Sequence, residues 1–272
     1  MEKERLDKLL IEKGLVASRE RGRALIIAGQ VFVNNVKTEK PGMLVHSSDH
    51  IEIKGKACPY VSRGGLKLEK ALREFGIVLA GKVILDVGAS TGGFTHCALL
   101  NGAARVYAVD VGYGQLDWSL RQDPRVKCLE RKNARYLSGD DIPEPIDVIT
   151  IDVSFISLEK VLPALLPLLK TGGQVIALVK PQFEAGREKV GKKGVVRDPG
   201  VHREVIEQAV GFCSENGFLP RGLSFSPLTG PEGNIEFLLW LEKSEYKSDY
   251  SKEQWATVVD NIVKQAHREL AD

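Results

Sequence analysis

Apolar residues along this chain follow two different periods, and the changes of period mark its elements. Val83-Ile-Leu-Asp-Val87 is a strand-type run that breaks into the turn Gly88-Ala-Ser-Thr-Gly-Gly93, after which residues 94–100 read as the start of a helix. Strand-type runs recur at 105–110, 125–129, 146–152 and 173–180, the last stopped by Pro181. The intervening patterns predict a short helix after Gly112 and a helix from a Ser157 cap to Leu169. Further on, the pattern predicts a helix over 201–216, strands near 219–225 and 235–241, and a helix over 252–270. Strands alternating with helices predict an α/β fold with a Rossmann-like sheet.

The first sixty residues follow other rules. Leu6, Leu9 and Leu10, then Ala24 to Ile27, give two short helices, the first stopped by Gly14 and the second opened by Ser18 and closed by Gly29. Val31-Phe-Val33, an Asn34-Asn35 turn, a loop over 37–42 and Ile51-Glu-Ile53 read as a small β unit. The organisation expected is therefore a small α+β module over 1–56, a linker over 57–62 in which Pro59 favours an extended chain, an α/β domain over 63–245, and a polar, partly helical tail over 246–272. Leu66, Leu68, Ala71, Leu72 and Phe75 share one helical face, so 63–75 should pack on the core of the larger domain.

Composition narrows the class. A chain of 272 residues with 43% apolar and 27% charged residues matches a soluble protein with a sizeable core. Net charge is only +2, but residues 1–60 hold 11 Lys or Arg against 8 acids, so the small module is the basic one. Arg5 and Lys8 on one helix and Arg19, Arg21 and Arg23 on the other put cations on its exposed faces. Cys58, Cys97, Cys128 and Cys213 form no Cys-x-x-Cys pair, which suggests neither a metal site nor a disulfide framework. No signal-type stretch follows the amino terminus, and the greasiest region, 161–179, is interrupted by Pro163, Pro167 and Lys170; a cytoplasmic protein without a membrane span is expected.

The turn after the first strand points to a ligand. A dinucleotide fingerprint wants glycines at its first, third and sixth places; Gly88 and Gly93 fit, but Ser90 stands where a pyrophosphate must approach the backbone. A cofactor without phosphates fits better, and S-adenosylmethionine is the one in widest use on this fold. Asp110 ends the second strand 22 residues beyond Gly88, about where a ribose-binding acid falls.

Four further charged groups end strands or sit on apolar faces: Lys67, Asp152, Lys180 and Glu236. Each alone has a structural explanation, as a snorkelling lysine, a helix cap, a solvated strand end and an edge-strand acid. Together they suit methyl transfer to a ribose 2′-hydroxyl, which needs an aligned oxygen and a base for a very weak acid. A lysine serves if burial and a neighbouring cation keep it partly neutral, and Lys180 beside Lys67 offers that pairing, with the two acids orienting amines and ribose while each nearby carboxylate pulls a lysine pKa back up.

Asp86-Val-Gly-Ala-Ser-Thr-Gly-Gly-Phe-Thr95, Asp110-Val-Gly-Tyr-Gly-Gln-Leu116, Ile151-Asp-Val-Ser-Phe-Ile156, Leu178-Val-Lys-Pro-Gln-Phe-Glu184 and Gly233-Asn-Ile-Glu-Phe237 resemble the TlyA family, called hemolysin A in older naming. The likeness extends over about residues 1–243, and residues 3–54 resemble the RNA-binding module first known from ribosomal protein S-four. It implies a 2′-O-ribose methyltransferase of FtsJ-like type acting on ribosomal RNA, within ribosomal subunits and at cytidine, with Lys67, Asp152, Lys180 and Glu236 as its catalytic tetrad. It further implies S-adenosylmethionine contacts from Asp86, Gly88, Ala89, Ser90, Thr91, Gly92, Gly93, Phe94, Asp110 and Val111. RNA contacts are expected from the basic helix pair, from Arg63, and from Lys189, Lys192 and Lys193 in the loop 184–198, which reads as a mobile lid or RNA contact. One departure stands out: where the family's linker carries Arg-x-Trp-Val, this chain has Cys58-Pro-Tyr-Val61. Two rival readings are a membrane-active hemolysin and a non-catalytic RNA-binding factor for ribosome assembly.

Overall fold

A computed structural model describes residues 3–16, 18–27, 29–54, 58–244 and 251–270, without the side chains of Glu20, Arg21 and Ala24. The chain divides into two compact units after Arg63. Position 57 of the expected linker, and 246–250 and 271–272 of the expected tail, lie outside the described residues.

The smaller unit orders β1 (Lys3–Arg5), α1 (Leu6–Glu12), α2 (Arg19–Ile27), β2 (Val31–Val33), β3 (Val36–Thr38), β4 (Leu44–His46) and β5 (Ile51–Ile53). Leu6, Leu9 and Leu10 of α1 and Leu25 and Ile26 of α2 close over Val31, Val33 and Ile51. Asn34 and Asn35 both take positive φ, 50° and 67°, which is the geometry of a tight hairpin turn. That hairpin makes 36–38 a strand pairing with β2, where the sequence reading opened a loop at Lys37. The pairing of β1 with β4 was not foreseen, since three-residue strands carry no readable period.

The larger unit runs α3 (Gly64–Phe75), β6 (Val83–Val87), α4 (Gly93–Leu100), β7 (Arg105–Asp110), α5 (Trp118–Gln122), β8 (Val126–Glu130), β9 (Ile146–Ile151), α6 (Leu162–Leu165), β10 (Leu169–Val179), α7 (Pro181–Glu184), α8 (Pro199–Glu215), β11 (Phe218–Phe225), β12 (Phe237–Lys243) and α9 (Lys252–Leu270). Its seven strands lie in the order β11-β12-β10-β9-β6-β7-β8. The five from β10 to β8 are parallel, while β12 runs antiparallel to β10 and β11 to β12. Val148, Ile149 and Ile151 of β9 and Val175 to Val179 of β10 are buried, as expected of a sheet covered on both faces.

Three differences from the sequence reading have physical causes. The helix expected over 157–169 is a Ser157-capped turn, the single turn α6 and a second tight turn, because Pro163 and Pro167 each remove a helical donor. Strand β10 accordingly begins at Leu169 and shifts register before Gln174. The C-terminal helix α9 belongs to the larger unit: Val259, Val263 and Ala266 are fully buried in its core.

Candidate active site

Sheet register assembles this site. Val87 pairs with Val109 on one side and with Ile151 on the other, so the residues that follow, Gly88, Asp110 and Asp152, emerge side by side at one edge. Val179 pairs with Phe237 in antiparallel sense, which brings Lys180, after the end of β10, opposite Glu236, before the start of β12. Pro181 at the first position of α7 stops β10 and fixes where Lys180 leaves the sheet. Lys67 comes from α3, whose apolar face buries Leu68, Ala71 and Leu72.

The four charges form one chain. Lys67 Nζ lies 2.6 Å from Glu236 Oε2 and 3.7 Å from Asp152 Oδ2, and Lys180 Nζ lies 2.5 Å from Asp152 Oδ1. Lys180 also donates to Ser154 Oγ at 3.2 Å. All four are largely buried, Glu236 most of all with 3% of its side chain exposed. Gly230 makes room for it, since a Cβ there would lie 3.0 Å from Glu236 Oε1.

This arrangement shows which of the opposing effects prevails at Lys67. Asp152 stands between the two lysines, so the expected pairing of cation with cation is a salt-bridged chain. Burial works against charge on Lys67, but Asp152 and Glu236 outweigh it and hold its ammonium above the ordinary lysine range. Burial likewise opposes charge on Asp152, and the two lysines outweigh it, keeping that carboxyl below its ordinary range.

Around the glycine turn, Ser90 and Thr91 are exposed, Ala89, Gly92 and Gly93 are buried, and Phe94 turns its ring into the core, leaving only its backbone for a ligand. Val111 is 68% exposed. Asp110 accepts the N–H of Ser90 at 2.8 Å through Oδ2 and that of Gly112 at 2.7 Å through Oδ1. A carboxylate has about four acceptor positions, so both oxygens keep capacity for hydroxyls, and the pair of turn and acid fits a nucleoside cofactor. Asp86, expected among the cofactor contacts, faces inward instead. Its carboxyl accepts the hydroxyls of Thr95 at 2.6 Å and Thr150 at 2.9 Å and braces α4 against β9. Burial pushes its pKa up to about 6.

The sequence reading missed three participants. Ser154 follows Asp152 by two residues and holds Lys180. Phe155 is 91% exposed, takes a strained φ of 63°, and rests against Phe183 with ring centroids 4.9 Å apart. Asn234 binds the loop 184–198, as described below. Of the expected RNA contacts, Arg5 and Arg19 both bond Asp7, Lys8 and Arg23 are exposed, Arg63 is half-buried, and the side chain of Arg21 lies outside the described residues. Lys189 pairs with Glu204, and Lys192 and Lys193 are exposed in a tight turn.

Residues 60–243 match the model of the FtsJ-like methyltransferase. The chain belongs to that family. Residues 4–51 match the S4 domain, so this methyltransferase carries that module ahead of its catalytic unit. TlyA of Mycobacterium tuberculosis, a 16S/23S rRNA (cytidine-2′-O)-methyltransferase, is 45% identical over 238 residues, 87% of this chain and 89% of that protein. Hemolysin A of Brachyspira hyodysenteriae is 42% identical over 86% of this chain and 98% of its own. A solved chain from Streptococcus thermophilus, 47% identical, superposes with a TM-score of 0.79 and covers 99% of this methyltransferase and 97% of itself.

Proposed function

We propose that this methyltransferase acts on the 2′-hydroxyl of a cytidine ribose in ribosomal RNA, within ribosomal subunits in the cytoplasm, with S-adenosylmethionine as donor. The observation that carries the reading is the continuous chain Glu236–Lys67–Asp152–Lys180 beside the glycine turn and Asp110. Bound there, S-adenosylmethionine supplies a methyl group on a sulfonium, which makes it electrophilic.

The protein's own groups then have distinct tasks. The 88–93 turn and Asp110 hold the donor, with Asp110 accepting ribose hydroxyls. Lys180 binds the substrate 2′-oxygen and accepts its proton. That proton becomes acidic only as the new C–O bond forms, so transfer to the lysine comes late. Asp152 stabilises the ammonium produced and aims it, while Lys67 and Glu236 fix Asp152 from behind. Phe155 offers a ring beside Ser154 for stacking on a nucleobase. The basic small unit supplies phosphate contacts.

Among the described residues no helix is long and apolar enough to cross a membrane, and the apolar stripe of α9 is buried in the core. Both support the enzyme reading over the membrane-active one, whose support is the name given to one relative and to two similar solved chains. The test is incubation of ribosomal subunits with labelled S-adenosylmethionine, followed by mapping of the modified nucleotide. Wild type should label a ribose, and Lys180→Ala should lose at least about a hundredfold in rate while still binding cofactor. Cofactor binding without label in either protein would overturn the reading in favour of an assembly factor.

A further inference from the structure

Asp7 is a fully buried carboxylate on a module whose proposed task is to hold an anion. Its position is set by backbone: the N–H of Asp7 donates to the Pro41 carbonyl at 3.1 Å, and that of Leu6 to the Met43 carbonyl at 2.8 Å. Arg5 donates from Nε to Oδ1 at 3.0 Å and from Nη2 to Oδ2 at 2.9 Å. Arg19, from the second helix, donates from Nε to the same Oδ2 at 3.1 Å. The two guanidiniums are thus held side by side by one acid, while 45% of the Arg5 side chain and 44% of that of Arg19 stay exposed. Gly42 lets Arg5 lie close to the loop, because a Cβ there would sit 3.2 Å from Nη1.

We propose that Asp7 is a positioning residue that sets Arg5 and Arg19 as one clamp for a single phosphate of the RNA backbone. The inference rests on the reading of residues 4–51 as an RNA-binding module and names the group through which that module takes its ligand. Arg5 offers Asp7 only its Nε–Nη2 edge and Arg19 only its Nε, so donors on both remain for the two non-bridging oxygens of a phosphodiester. Two arginines and one aspartate leave a charge of plus one, which a phosphodiester neutralises. Without Asp7 the guanidiniums would repel each other, and each long side chain would have to be ordered when RNA binds. With it they are ordered beforehand. Lys8 is outside the clamp and lies instead within reach of the charge of Glu4.

The experiment measures the affinity of the full chain for deproteinised ribosomal RNA over a range of salt. Asp7→Asn removes a negative charge from the module, so diffuse attraction alone predicts tighter binding. The clamp predicts the opposite: binding weaker by about threefold to tenfold, with a log–log salt slope shallower by about one. Arg19→Gln should weaken binding similarly, and the double variant should be little worse than either single one, because both break one device. Melting temperature and cofactor binding check that each variant folds. Should Asp7→Asn unfold the small unit, Arg5→Lys replaces it, since it keeps the charge and loses the fork; the clamp predicts weaker binding and diffuse charge predicts none. Unchanged or tighter binding by a folded Asp7→Asn or Arg5→Lys overturns the clamp. If Arg23→Gln meanwhile weakens binding, the RNA-binding reading survives that failure; if wild type itself shows no salt-dependent affinity, the RNA-binding reading falls with it.

Discussion

Asp86 and Asp152 are both acids at the active edge of one sheet, and burial pushes both towards neutrality. What separates them is partners. Asp152 faces two ammonium groups and stays charged, whereas Asp86 faces two threonine hydroxyls, which do not offset desolvation, and its pKa sits at about 6 against an ordinary 3.8. The folded state therefore binds the Asp86 proton more tightly than the unfolded chain does. That contribution is fully present below about pH 4 and is lost as pH rises through about 6, a change of about 3 kcal/mol. Asp86→Asn should remove it. Denaturation of both proteins at pH 7 and pH 4.5 should show wild type gaining stability relative to the variant on acidification, and a constant difference would refute the assignment. Gly88 gives a sharper steric case. Its φ is 83°, and a Cβ would lie 2.4 Å from the Asp152 carbonyl oxygen, so Gly88→Ala must displace the end of β9. We expect Gly88→Ala to lower cofactor affinity by at least about tenfold by calorimetry, with loss of activity in parallel.

The loop 184–198 shows where reading by pattern stops. Five cations, three glycines and little apolar matter suggest mobility, but the structure ties the loop down. Val195 and Val196 are buried, Asn234 accepts the Val196 N–H at 2.9 Å and donates to the Gly194 carbonyl at 2.9 Å, and His202 Nε2 donates to the Val196 carbonyl at 3.1 Å. His202 Nδ1 is then the acceptor for His267 Nε2 at 2.9 Å, which links the loop to α9. Strand ends carrying Asp110, Asp152 and Lys180 were legible because period and a breaking residue locate them. Asn234 and His202 were not, because a polar side chain that satisfies backbone far along the chain leaves no local pattern. Burial first, then the neighbouring His267, lowers the His202 pKa to about 4 from 6.5. For a histidine buried neutral, stability is present above about pH 6.5 and is lost as pH falls through about 4, up to about 3 kcal/mol. His267, Asp198 and Arg203 are the charged or titratable groups facing this pair. The contribution of His202 has the opposite sign to that of Asp86, so wild type should look nearly flat between about pH 4 and pH 6 as far as these two groups decide. His202→Gln, which keeps a donor and cannot titrate, should unmask the difference, and hydrogen exchange at pH 5 should show α9 opening before the sheet in wild type only.

Across the whole molecule, charge and chemistry are divided between the two units. Residues 1–60 carry an excess of basic over acidic residues, 11 against 8, while the four-charge chain near the turn contains two cations and two acids and is neutral. A neutral, internally paired cluster draws no polyanion from a distance; a basic module does, and its attraction is screened by salt. Binding through the small unit is made equally in the ground and transition states, so losing it should raise KM and leave kcat alone. Lys180, the base proposed above, should instead affect kcat. We therefore expect Arg23→Gln to raise KM for ribosomal subunits about threefold to tenfold at moderate salt, with kcat within about twofold and the difference shrinking as salt increases. Phe155→Ala, which removes the ring proposed to stack on a nucleobase, should raise KM and lower kcat together, since a base held loosely also presents its 2′-oxygen out of line. Steady-state kinetics on ribosomal subunits at two salt concentrations separates the two classes of variant. A fall in kcat with Arg23→Gln at every salt concentration would mean that the small unit takes part in aligning the reactants, and the division of labour proposed between the units would fail.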